Sequence, residues 1–304
     1  MSIKEVEKIW MDGNLVDWKD AKIHVLTHAL HYGSGVFEGI RCYNTSLGPA
    51  IFRLNEHINR LYNSAKIYFM EIPFSKKEIS DAIKNLIRAN KLKECYIRPI
   101  AFRGYGEMGL NPLNSKVNVS IAVWPWGTYL GEDGLKNGIR VKISSYQRIS
   151  PNMIPPSAKS TGNYINSILA KVESLKPGYD EAIMLDNRGF VSEGPGENVF
   201  LVKNGKLYTP PKHASILPGI TRASVIKIAK DSGYNVAETD LTRGDLYKAD
   251  EVFFTGTAAE LTPIREIDEI EIGKPGPITK SLQESFFKIT KGEDNRYDFW
   301  LDMV

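Results

Sequence analysis

The sequence contains few cysteines, and none has a spacing that would pair it. Cys42 and Cys95 are the two cysteines, and they lie far apart along the chain. We therefore expect neither a disulfide framework nor a zinc site, and reduced thiols favour a cytoplasmic location. No apolar stretch is long enough to span a membrane, and the N-terminus lacks the apolar core of a signal peptide. No membrane association is expected.

The chain also lacks an excess of charge of either sign. Its net charge is +3 and it has no run of like charges, so we expect no nucleic-acid partner. The nucleotide-binding patterns GxGxxG and GxxxxGK(S/T) are absent, as are internal repeats and low-complexity tracts. His24, His28 and His31 have a metal-like spacing, but no nearby cysteine supports them, so no metal is expected.

The length of the chain favours two domains, because 304 residues exceed the usual size of one. Helical and strand patterns are mixed without a regular βαβα rhythm. The stretch Trp124–Gly134 is rich in glycine and aromatic residues and is the best linker candidate. We therefore predict a domain over residues 1–125, a linker over 126–136 and a second domain over 137–304.

Several elements can be predicted from local patterns. Asp12-Gly13 predicts a hairpin turn within Ile9–Val16, and Ser75 with Glu78 forms a capping-box pattern at a helix start. Further predicted elements are strands over Cys95–Phe102, Val117–Trp124 and Ile139–Tyr146, strands within Glu181–Lys203, a helix after Gly162 with Ile165, Ile168, Leu169 and Val172 on one face, and helices over Thr221–Lys230 and Ile278–Ile289.

Lys159 lies in the segment Pro155–Tyr164, which contains two prolines and several small residues. Such a segment cannot form a regular helix or strand. A lysine held in rigid, partly desolvated surroundings becomes a nucleophile toward aldehydes and forms a Schiff base, and pyridoxal 5'-phosphate (PLP) is the commonest cofactor held that way. Taken alone, the segment is more often an ordinary surface lysine, so the other parts of such a site are needed.

Three features could bind a phosphate. Leu217–Arg222 ends a loop and starts a helix, whose free N–H groups form an anion site beside a glycine. Thr255–Glu260 is a small-residue turn after an apolar strand, and Arg60 could bind a phosphate bidentately. Each feature alone is more often a plain helix start, a tight connection or a surface arginine.

Two carboxylates flank a rigid bend in Glu193-Gly-Pro-Gly-Glu197. A PLP site needs a carboxylate near the pyridine nitrogen, so that the ring stays protonated and accepts electrons. Either glutamate could serve, and the alternative is a turn with solvated side chains.

These motifs together resemble the class IV (fold type IV) PLP-dependent aminotransferases. The resemblance is carried by Glu193-x3-Glu197-Asn198-x-Phe200, Leu207-Tyr-Thr-Pro210, Leu217-Pro-Gly-Ile-Thr-Arg222, His31-Tyr-Gly-Ser-Gly-Val-Phe-Glu-Gly-Ile-Arg41, Tyr96-Ile-Arg-Pro99 and Gly256-Thr-Ala-Ala-Glu260. It covers nearly the whole chain, and within the class it is closest to the branched-chain amino acid aminotransferases.

The resemblance implies an α/β (α+β) fold, with a smaller α/β domain, a larger pseudo-barrel domain and PLP in the interdomain cleft. It implies amino transfer from leucine, isoleucine or valine to 2-oxoglutarate by a ping-pong mechanism. It further implies a homo-oligomer that is at least a dimer, and hexamers also occur in the family.

The resemblance also assigns roles in cofactor binding. Lys159 corresponds to the Schiff-base lysine and proton carrier, Glu193 to the partner of the pyridine nitrogen, and Tyr164 to the donor to the phenolic oxygen. The phosphate ligands correspond to Arg60, Ile220, Thr221 and Thr257, with Leu217 and Gly219 in the same cofactor-binding loop. Glu197 and Arg148 correspond to supporting residues.

The substrate positions follow in the same way. An apolar side-chain pocket is implied at Phe37, Tyr164, Trp126 and Tyr129, with Tyr32, Met108 and Leu110 from a neighbouring subunit. The α-carboxylate ligands correspond to Tyr96, Thr257 and Ala258, and Arg98 corresponds to the residue that meets the distal carboxylate of glutamate.

Two other functions are open at this stage. A D-amino acid aminotransferase or an aminodeoxychorismate lyase would share the fold and the cofactor. A protein that binds anions without catalysis would use Lys159 only structurally.

Overall fold

The computed structural model describes residues 3–127 and 129–304, and the chain forms two compact units. The first unit comprises the chain up to Trp126, together with Ala158–Gly162 and Ile289–Val304. The second unit comprises Gly127–Ser157 and Asn163–Lys288. The units therefore alternate along the sequence, and the Lys159 segment belongs to the first. The domain boundaries predicted at residues 125 and 137 stay a prediction.

The first unit is built on one antiparallel sheet. Its strands are β1 (Lys8–Met11), β2 (Asn14–Asp17), β3 (Gly35–Phe37), β4 (Ile40–Thr45), β5 (Gly48–Phe52), β6 (Cys95–Arg103), β7 (Val117–Trp124) and β17 (Leu301–Met303). Among the described residues these eight strands follow the order β17-β5-β4-β6-β7-β1-β2, and β3 pairs with β6. Strand β6 pairs with β3, β4 and β7, so the side chains of Tyr96 and Arg98 lie on a central strand.

Helices α1 (His28–Tyr32), α2 (Leu54–Ile67) and α3 (Lys76–Ala89) complete this unit, with 3₁₀ turns at Trp18–Asp20 and Asn295–Trp300. The predicted capping box is confirmed, because Ser75 N donates to Glu78 Oε2 at 2.6 Å and Glu78 N donates to Ser75 Oγ at 3.2 Å. The apolar face of α3, formed by Ile79, Ala82, Ile83, Leu86 and Ile87, is buried in a core shared with α2 and the sheet. Asp12 and Gly13 adopt positive φ in the confirmed hairpin turn.

The second unit is built on a mixed sheet. Its strands are β8 (Ile139–Ile143), β9 (Glu181–Leu185), β10 (Val191–Glu193), β11 (Asn198–Lys203), β12 (Lys206–Thr209), β13 (Val236–Glu238), β14 (Glu251–Gly256), β15 (Glu260–Ile267) and β16 (Ile270–Glu271). Within the described part of the chain they follow the order β10-β9-β8-β15-β14-β11-β12-β13, with β16 on β15. The pairs β8–β9, β8–β15 and β12–β13 are parallel, and the others are antiparallel. The predicted mixed α/β fold is confirmed.

Five helices in the described residues belong wholly or mainly to this unit: α4 (Gly131–Asn137), α5 (Tyr164–Leu175), α6 (Ile220–Asp231), α7 (Arg243–Tyr247) and α8 (Pro277–Thr290). Helix α4 overlaps the stretch predicted as a linker, 126–136, and ends one residue beyond it; Thr128 of that stretch is outside the described residues. The predicted strand from Ile139 is shorter than expected and ends at Ile143. No helix of the described chain is both apolar enough and long enough to cross a bilayer.

Helix α5 has an unusual distribution of side chains. Its inner face packs on β8 and β9 through the small residues Ser167, Ala170 and Ser174. The apolar face predicted for it is exposed, with Ile165, Ile168, Leu169, Val172 and Leu175 turned away from this packing. Large apolar side chains normally face the core of a helix–sheet packing, so the two faces are reversed in α5.

Candidate functional site

The backbone around Lys159 is pinned to strand β3. Phe37 N donates to Lys159 O at 2.9 Å, and Thr161 N donates to Gly35 O at 2.8 Å. Lys159 N donates to the hydroxyl of Ser64 on α2 at 3.0 Å. The predicted absence of regular structure at Lys159 is confirmed, but the residue is held at both its N–H and its C=O, so its backbone position is well defined.

The Lys159 side chain lies beside an aromatic ring in the first unit. Its Nζ is 5.1 Å from the centre of the Phe37 ring. Gly33 adopts φ +63°, and a Cβ there would lie 2.9 Å from Gly162 Cα. The His31–Arg41 motif thus uses glycine to let two backbones meet beside the lysine.

Arg60 is bound to a buried carboxylate that the sequence did not single out. Arg60 Nε and Nη2 donate to the two oxygens of Glu38 at 2.6 and 2.8 Å, and Glu38 also interacts with His57 Nδ1 at 2.8 Å. Burial alone would raise the pKa of Glu38, but Arg60 and His57 outweigh it and hold that pKa well below its usual range. Burial lowers the pKa of His57, so the imidazole is neutral at neutral pH.

Arg98 lies among aromatic rings on the central strand. Its guanidinium carbon is 4.8 Å from the ring centre of Phe37, and Nη2 donates to Tyr96 Oη at 3.3 Å. Tyr96 stacks edge-on against Trp126, with ring centres 4.4 Å apart. A Cβ on Gly39 would lie 2.0 Å from Tyr96 Oη, so only glycine fits there. The Arg98 cation therefore lies among aromatic side chains of the first unit.

Glu193 is held by three donors in the second unit. Arg148 Nε donates to Oε1 at 2.7 Å, while Asn198 Nδ2 and Leu217 N donate to Oε2 at 2.9 and 3.0 Å. Arg148 also donates to Ser167 Oγ on α5 at 3.2 Å. All these groups are buried or half-buried, so the carboxylate is fixed in place and its charge is paired with that of Arg148.

Glu197, at the other end of the bend, has a different environment. Burial, aided by the charge of Glu181, raises the pKa of the Glu197 carboxyl to about 8. Burial also raises the pKa of Glu181, although Lys171 Nζ lies 2.6 Å from its Oε2. Lys171 Nζ is in turn 5.7 Å from the centre of the Tyr129 ring. Of Glu193 and Glu197, the two glutamates of the bend, Glu193 is therefore the one whose charge is paired.

The predicted anion site at Leu217–Arg222 starts helix α6 as expected, with Gly219 as its N-cap. A Cβ on Gly219 would lie 2.0 Å from Asn198 Oδ1, so the loop closes tightly on Asn198. Thr221 is the second residue of the helix and is buried. The N–H groups around Thr221 lie at the N-terminal end of a twelve-residue helix, the end that favours anions in proteins generally.

The second predicted phosphate turn joins β14 to β15. Thr257, Ala258 and Ala259 form its three residues, and Glu260 adopts φ +53° directly after it. The buried Oγ1 of Thr255, at the end of β14, has no hydrogen-bond partner among the described residues. An unsatisfied buried hydroxyl and a strained residue beside one turn are features of ligand sites.

The structure thus collects the predicted residues in two groups. The first unit holds Phe37, Arg60, Tyr96, Arg98, Trp126 and Lys159, and the second holds Tyr129, Arg148, Tyr164, Glu193, Glu197, Leu217, Gly219, Ile220, Thr221, Thr257 and Ala258. Tyr32, Met108 and Leu110 are exposed on the first unit. Sequence reasoning missed Glu38 and His57, and it gave no role to Asn198. Asn198 lies in the motif Glu193-x3-Glu197-Asn198, and its spacing from Glu193 was the only sign of its importance in the sequence.

These residues fit a phosphorylated pyridine. Gly219 forms a close cradle at a helix start, Glu193 offers a fixed carboxylate, and Lys159 offers an amine on a pinned backbone. No group of three or more metal-ligating side chains occurs in residues 3–127 and 129–304.

Comparison with known proteins gives a consistent result. A family model described as amino-transferase class IV matches residues 35–267. The chain is 49% identical over 307 residues to a branched-chain-amino-acid aminotransferase of Escherichia coli (strain K12), covering 100% of this chain and 99% of that protein. A crystal structure of the Escherichia coli branched-chain amino acid aminotransferase matches with a TM-score of 0.97 and 49% identity, covering 98% and 99% of the two chains.

A third similar protein was solved with a bound ligand. It is a T.th. branched-chain amino acid aminotransferase complexed with N-(5'-phosphopyridoxyl)-L-glutamate. Its TM-score is 0.94 at 49% identity, and the match covers 99% of each chain.

Proposed function

Because the chain belongs to the class IV aminotransferases, a family that uses PLP, we propose that it is a branched-chain-amino-acid transaminase. It transfers the α-amino group of leucine, isoleucine or valine to 2-oxoglutarate and so forms branched-chain 2-oxo acids and glutamate. The observation that carries this proposal is Arg98, a cation that lies against the rings of Phe37 and Tyr96 in the same unit as Lys159. An apolar wall with one held cation suits both an apolar side chain and the distal carboxylate of glutamate.

Bound PLP supplies an aldehyde that reacts with amines and a ring that accepts electrons when the substrate Cα loses its proton. With PLP bound, Lys159 would hold it through Nζ, and the same amine would carry the proton of the substrate Cα. The hydrogen bonds that hold the Lys159 backbone limit the positions open to its Nζ, which favours such a role. Glu193 would keep a proton on the pyridine nitrogen, and Tyr164 would donate to the phenolic oxygen.

The residues that would hold the phosphate are Arg60, Ile220 and Thr221 through their N–H groups at the start of α6, and Thr257. Leu217 and Gly219 shape the same loop, because Leu217 N and O are both tied to the Glu193–Asn198 pair. Supporting this, a helix start and a guanidinium are the two groups that proteins use most readily for phosphate.

The substrate is bound by groups of opposite character. Tyr96 and the Thr257–Ala258 turn bind the α-carboxylate, and Phe37, Trp126, Tyr129 and Tyr164 surround the apolar side chain. Arg98 meets the distal carboxylate of glutamate. When leucine binds, the Arg98 charge stays solvated or stacked on aromatic rings, which avoids a buried unpaired cation.

We further propose a homo-oligomer of at least two subunits, in which Tyr32, Met108 and Leu110 complete the pocket of a neighbour. Leu110 is 88% exposed, and Tyr32 and Met108 are also exposed. The reversed apolar face of α5 supports association, because such a face is stable in water only when another surface covers it. The free thiols of Cys42 and Cys95, opposite each other in β4 and β6, support a cytoplasmic location.

The test uses purified protein. It should take up PLP and absorb visible light, and borohydride should bleach this absorbance and attach the cofactor to Lys159, as seen by peptide mass. Amino transfer to 2-oxoglutarate should then occur from L-leucine, L-isoleucine and L-valine. Protein that cannot take up PLP would contradict the proposal, and a preference for D-alanine or aminodeoxychorismate would favour the related enzymes of the same fold.

A further inference from the structure

Glu38 is a fully buried carboxylate that the proposed reaction does not use. It follows Phe37 directly, and its side chain is 0% exposed. Two of its hydrogen bonds come from Arg60, one from His57, and its own neighbour Gly39 N donates to Oε2 at 3.3 Å. Burying an ion costs several kcal/mol of desolvation, which its hydrogen-bonding partners largely offset without adding much net stability. The cluster is therefore expected to have a role other than stability.

The cluster is fixed from both of its sides. Glu38 N donates to Pro99 O on β6 at 2.9 Å, which anchors the carboxylate to the sheet. His57, Arg60 and Ser64 follow each other along α2 at helical spacing. Ser64 accepts from Lys159 N, so the same helix face that carries Arg60 also holds the backbone of Lys159. The guanidinium and the lysine are thereby placed by one rigid element.

The hydrogen bonds of Glu38 define the orientation of Arg60. The carboxylate occupies the edge of the guanidinium formed by Nε and Nη2, so the plane of the group and the direction of Nη1 are set. His57 lies beside the same oxygen as Nη2, and as a neutral donor it holds the carboxylate without adding charge. A long arginine side chain, only 13% exposed, therefore has one orientation before any ligand arrives.

We propose that Glu38 and His57 are positioning residues, which orient Arg60 for the phosphate of the cofactor. This inference rests on the proposed role of Arg60 as a phosphate ligand. Pre-organisation raises affinity because the ordering of the side chain is completed during folding and not on binding. Glu38 also neutralises part of the Arg60 charge, so its benefit to the phosphate is one of geometry.

The test compares two ligands of the cofactor-free enzyme, PLP and pyridoxal, which lacks the phosphate. Glu38→Gln should weaken PLP binding about tenfold or more, which is about 1.4 kcal/mol. Pyridoxal binding should change less than about twofold, because the ring contacts lie on other residues. The phosphorus NMR signal of bound PLP should also shift in Glu38→Gln. Glu56→Gln is the matched control on α2, since Glu56 pairs with Arg53 near the surface.

His57 provides an independent variant should Glu38→Gln fail to fold. His57→Leu removes the donor to Glu38 and should lower PLP affinity selectively, whereas His57→Asn keeps an N–H near the Nδ1 position and should restore it. Equal losses for PLP and pyridoxal, or PLP affinity unchanged in both Glu38→Gln and His57→Leu, would overturn the inference.

Arg60→Gln separates the inference from the proposal on which it rests. If Arg60→Gln leaves PLP affinity intact, the phosphate role of Arg60 is wrong. If Arg60→Gln weakens PLP but the Glu38 and His57 variants do not, only the positioning role is wrong. Because Glu38 acts through Arg60, the double variant Glu38→Gln/Arg60→Gln should bind PLP no more weakly than Arg60→Gln alone.

Discussion

In the proposed reaction Arg98 would serve both an apolar and an acidic substrate side chain, and its surroundings suit a single residue to both. Its guanidinium lies over Phe37 and close to Tyr96, so the cation is stabilised by ring faces when no anion is present. A carboxylate can replace these contacts without exposing an unpaired charge. The residue is therefore expected to contribute to one half of the ping-pong cycle far more than to the other.

Arg98→Ala should slow the glutamate half-reaction by about 10- to 100-fold, since a charged hydrogen bond contributes about 1.5–3 kcal/mol. The leucine half-reaction should change by less than about threefold, because leucine makes no ion pair there. Single-turnover absorbance changes measure both steps. Arg98→Lys keeps the charge but not the planar stacking and should give an intermediate loss. Equal losses in the two half-reactions would contradict the assignment.

Glu197 gives a prediction on pH. Its pKa is raised from 4.5 to about 8, so between these values the folded state holds a proton that the unfolded state has lost. The free energy of unfolding must therefore fall as the pH rises through this window. Glu197→Gln, which is neutral at every pH, should remove that decline. Urea unfolding at several pH values measures it.

Glu173, in the same unit, is a carboxylate whose pKa is shifted in the opposite direction from that of Glu197, so it cannot cause the same decline in stability. Burial alone would raise its pKa, but hydrogen bonds from Ser144 and Ser145 outweigh it and lower the pKa. Its contribution is therefore present above 4.5 and is lost only as the pH falls below that value. If Glu197→Gln leaves the decline between 4.5 and about 8 unchanged, the buried carboxyl is not its source.

Among individual residues, those in local motifs could be predicted from the sequence, whereas those bound to partners far along the chain were missed. Lys159, Glu193 and Thr221 stand in local patterns whose chemistry is recognisable. Glu38 is bound to Arg60 from a position 22 residues earlier in the chain, and no local pattern reports such a pairing. The roles of Lys159, Glu193 and Thr221 toward the cofactor stay predictions.

Helix α6 shows how one element depends on a neighbour. Its N-cap Gly219 faces Asn198, which bridges Glu193 Oε2 and Leu217 O at 2.9 and 3.0 Å. The backbone of Gly219 has an ordinary negative φ, so any demand for glycine here is one of space. The start of α6 and the Glu193 carboxylate are thus coupled through one amide side chain.

Gly219→Ala should therefore weaken PLP binding about tenfold or more, because the new Cβ would lie 2.0 Å from Asn198 Oδ1 and must displace it. Equilibrium dialysis with PLP measures the loss. Gly244→Ala in α7 is the control, since its Cβ meets only Thr242 Oγ1 at 3.6 Å, and it should leave PLP affinity unchanged. Unaltered affinity in Gly219→Ala would show that the loop does not bind the phosphate.

The elements themselves were predicted where the signal is local. The capping box of α3 and the Asp12-Gly13 hairpin depend on neighbouring residues, and both are confirmed. Helix α5 was predicted from its apolar periodicity, but periodicity does not say which face is covered. The helix packs by Ser167 and Ala170, which the pattern did not favour.

For the whole molecule, the chain order conceals the grouping of its parts. Residues Ala158–Gly162 belong to the first unit although the chain on both sides belongs to the second, and Ile289–Val304 also returns to the first. A linear pattern of linkers cannot show such an exchange, because it depends on contacts between distant parts of the chain, such as the pairing of Val36 with Ser160 and the hydrogen bond from Lys159 N to Ser64. Lys159 is therefore carried by a short insertion of one unit into the sequence of the other.

The reversed helix α5 leads to the prediction on assembly. Ile168 lies in the middle of its exposed apolar face, and a charge there would have to be buried on association. Ile168→Lys should therefore convert the proposed homo-oligomer to a smaller species, measured as mass by sedimentation. Ile270→Lys, at another exposed isoleucine of the same unit, should keep the oligomer. If Ile168→Lys keeps the wild-type mass, α5 is not the interface. If it dissociates, amino transfer should also fall, because Tyr32 and Leu110 would no longer reach a neighbouring pocket.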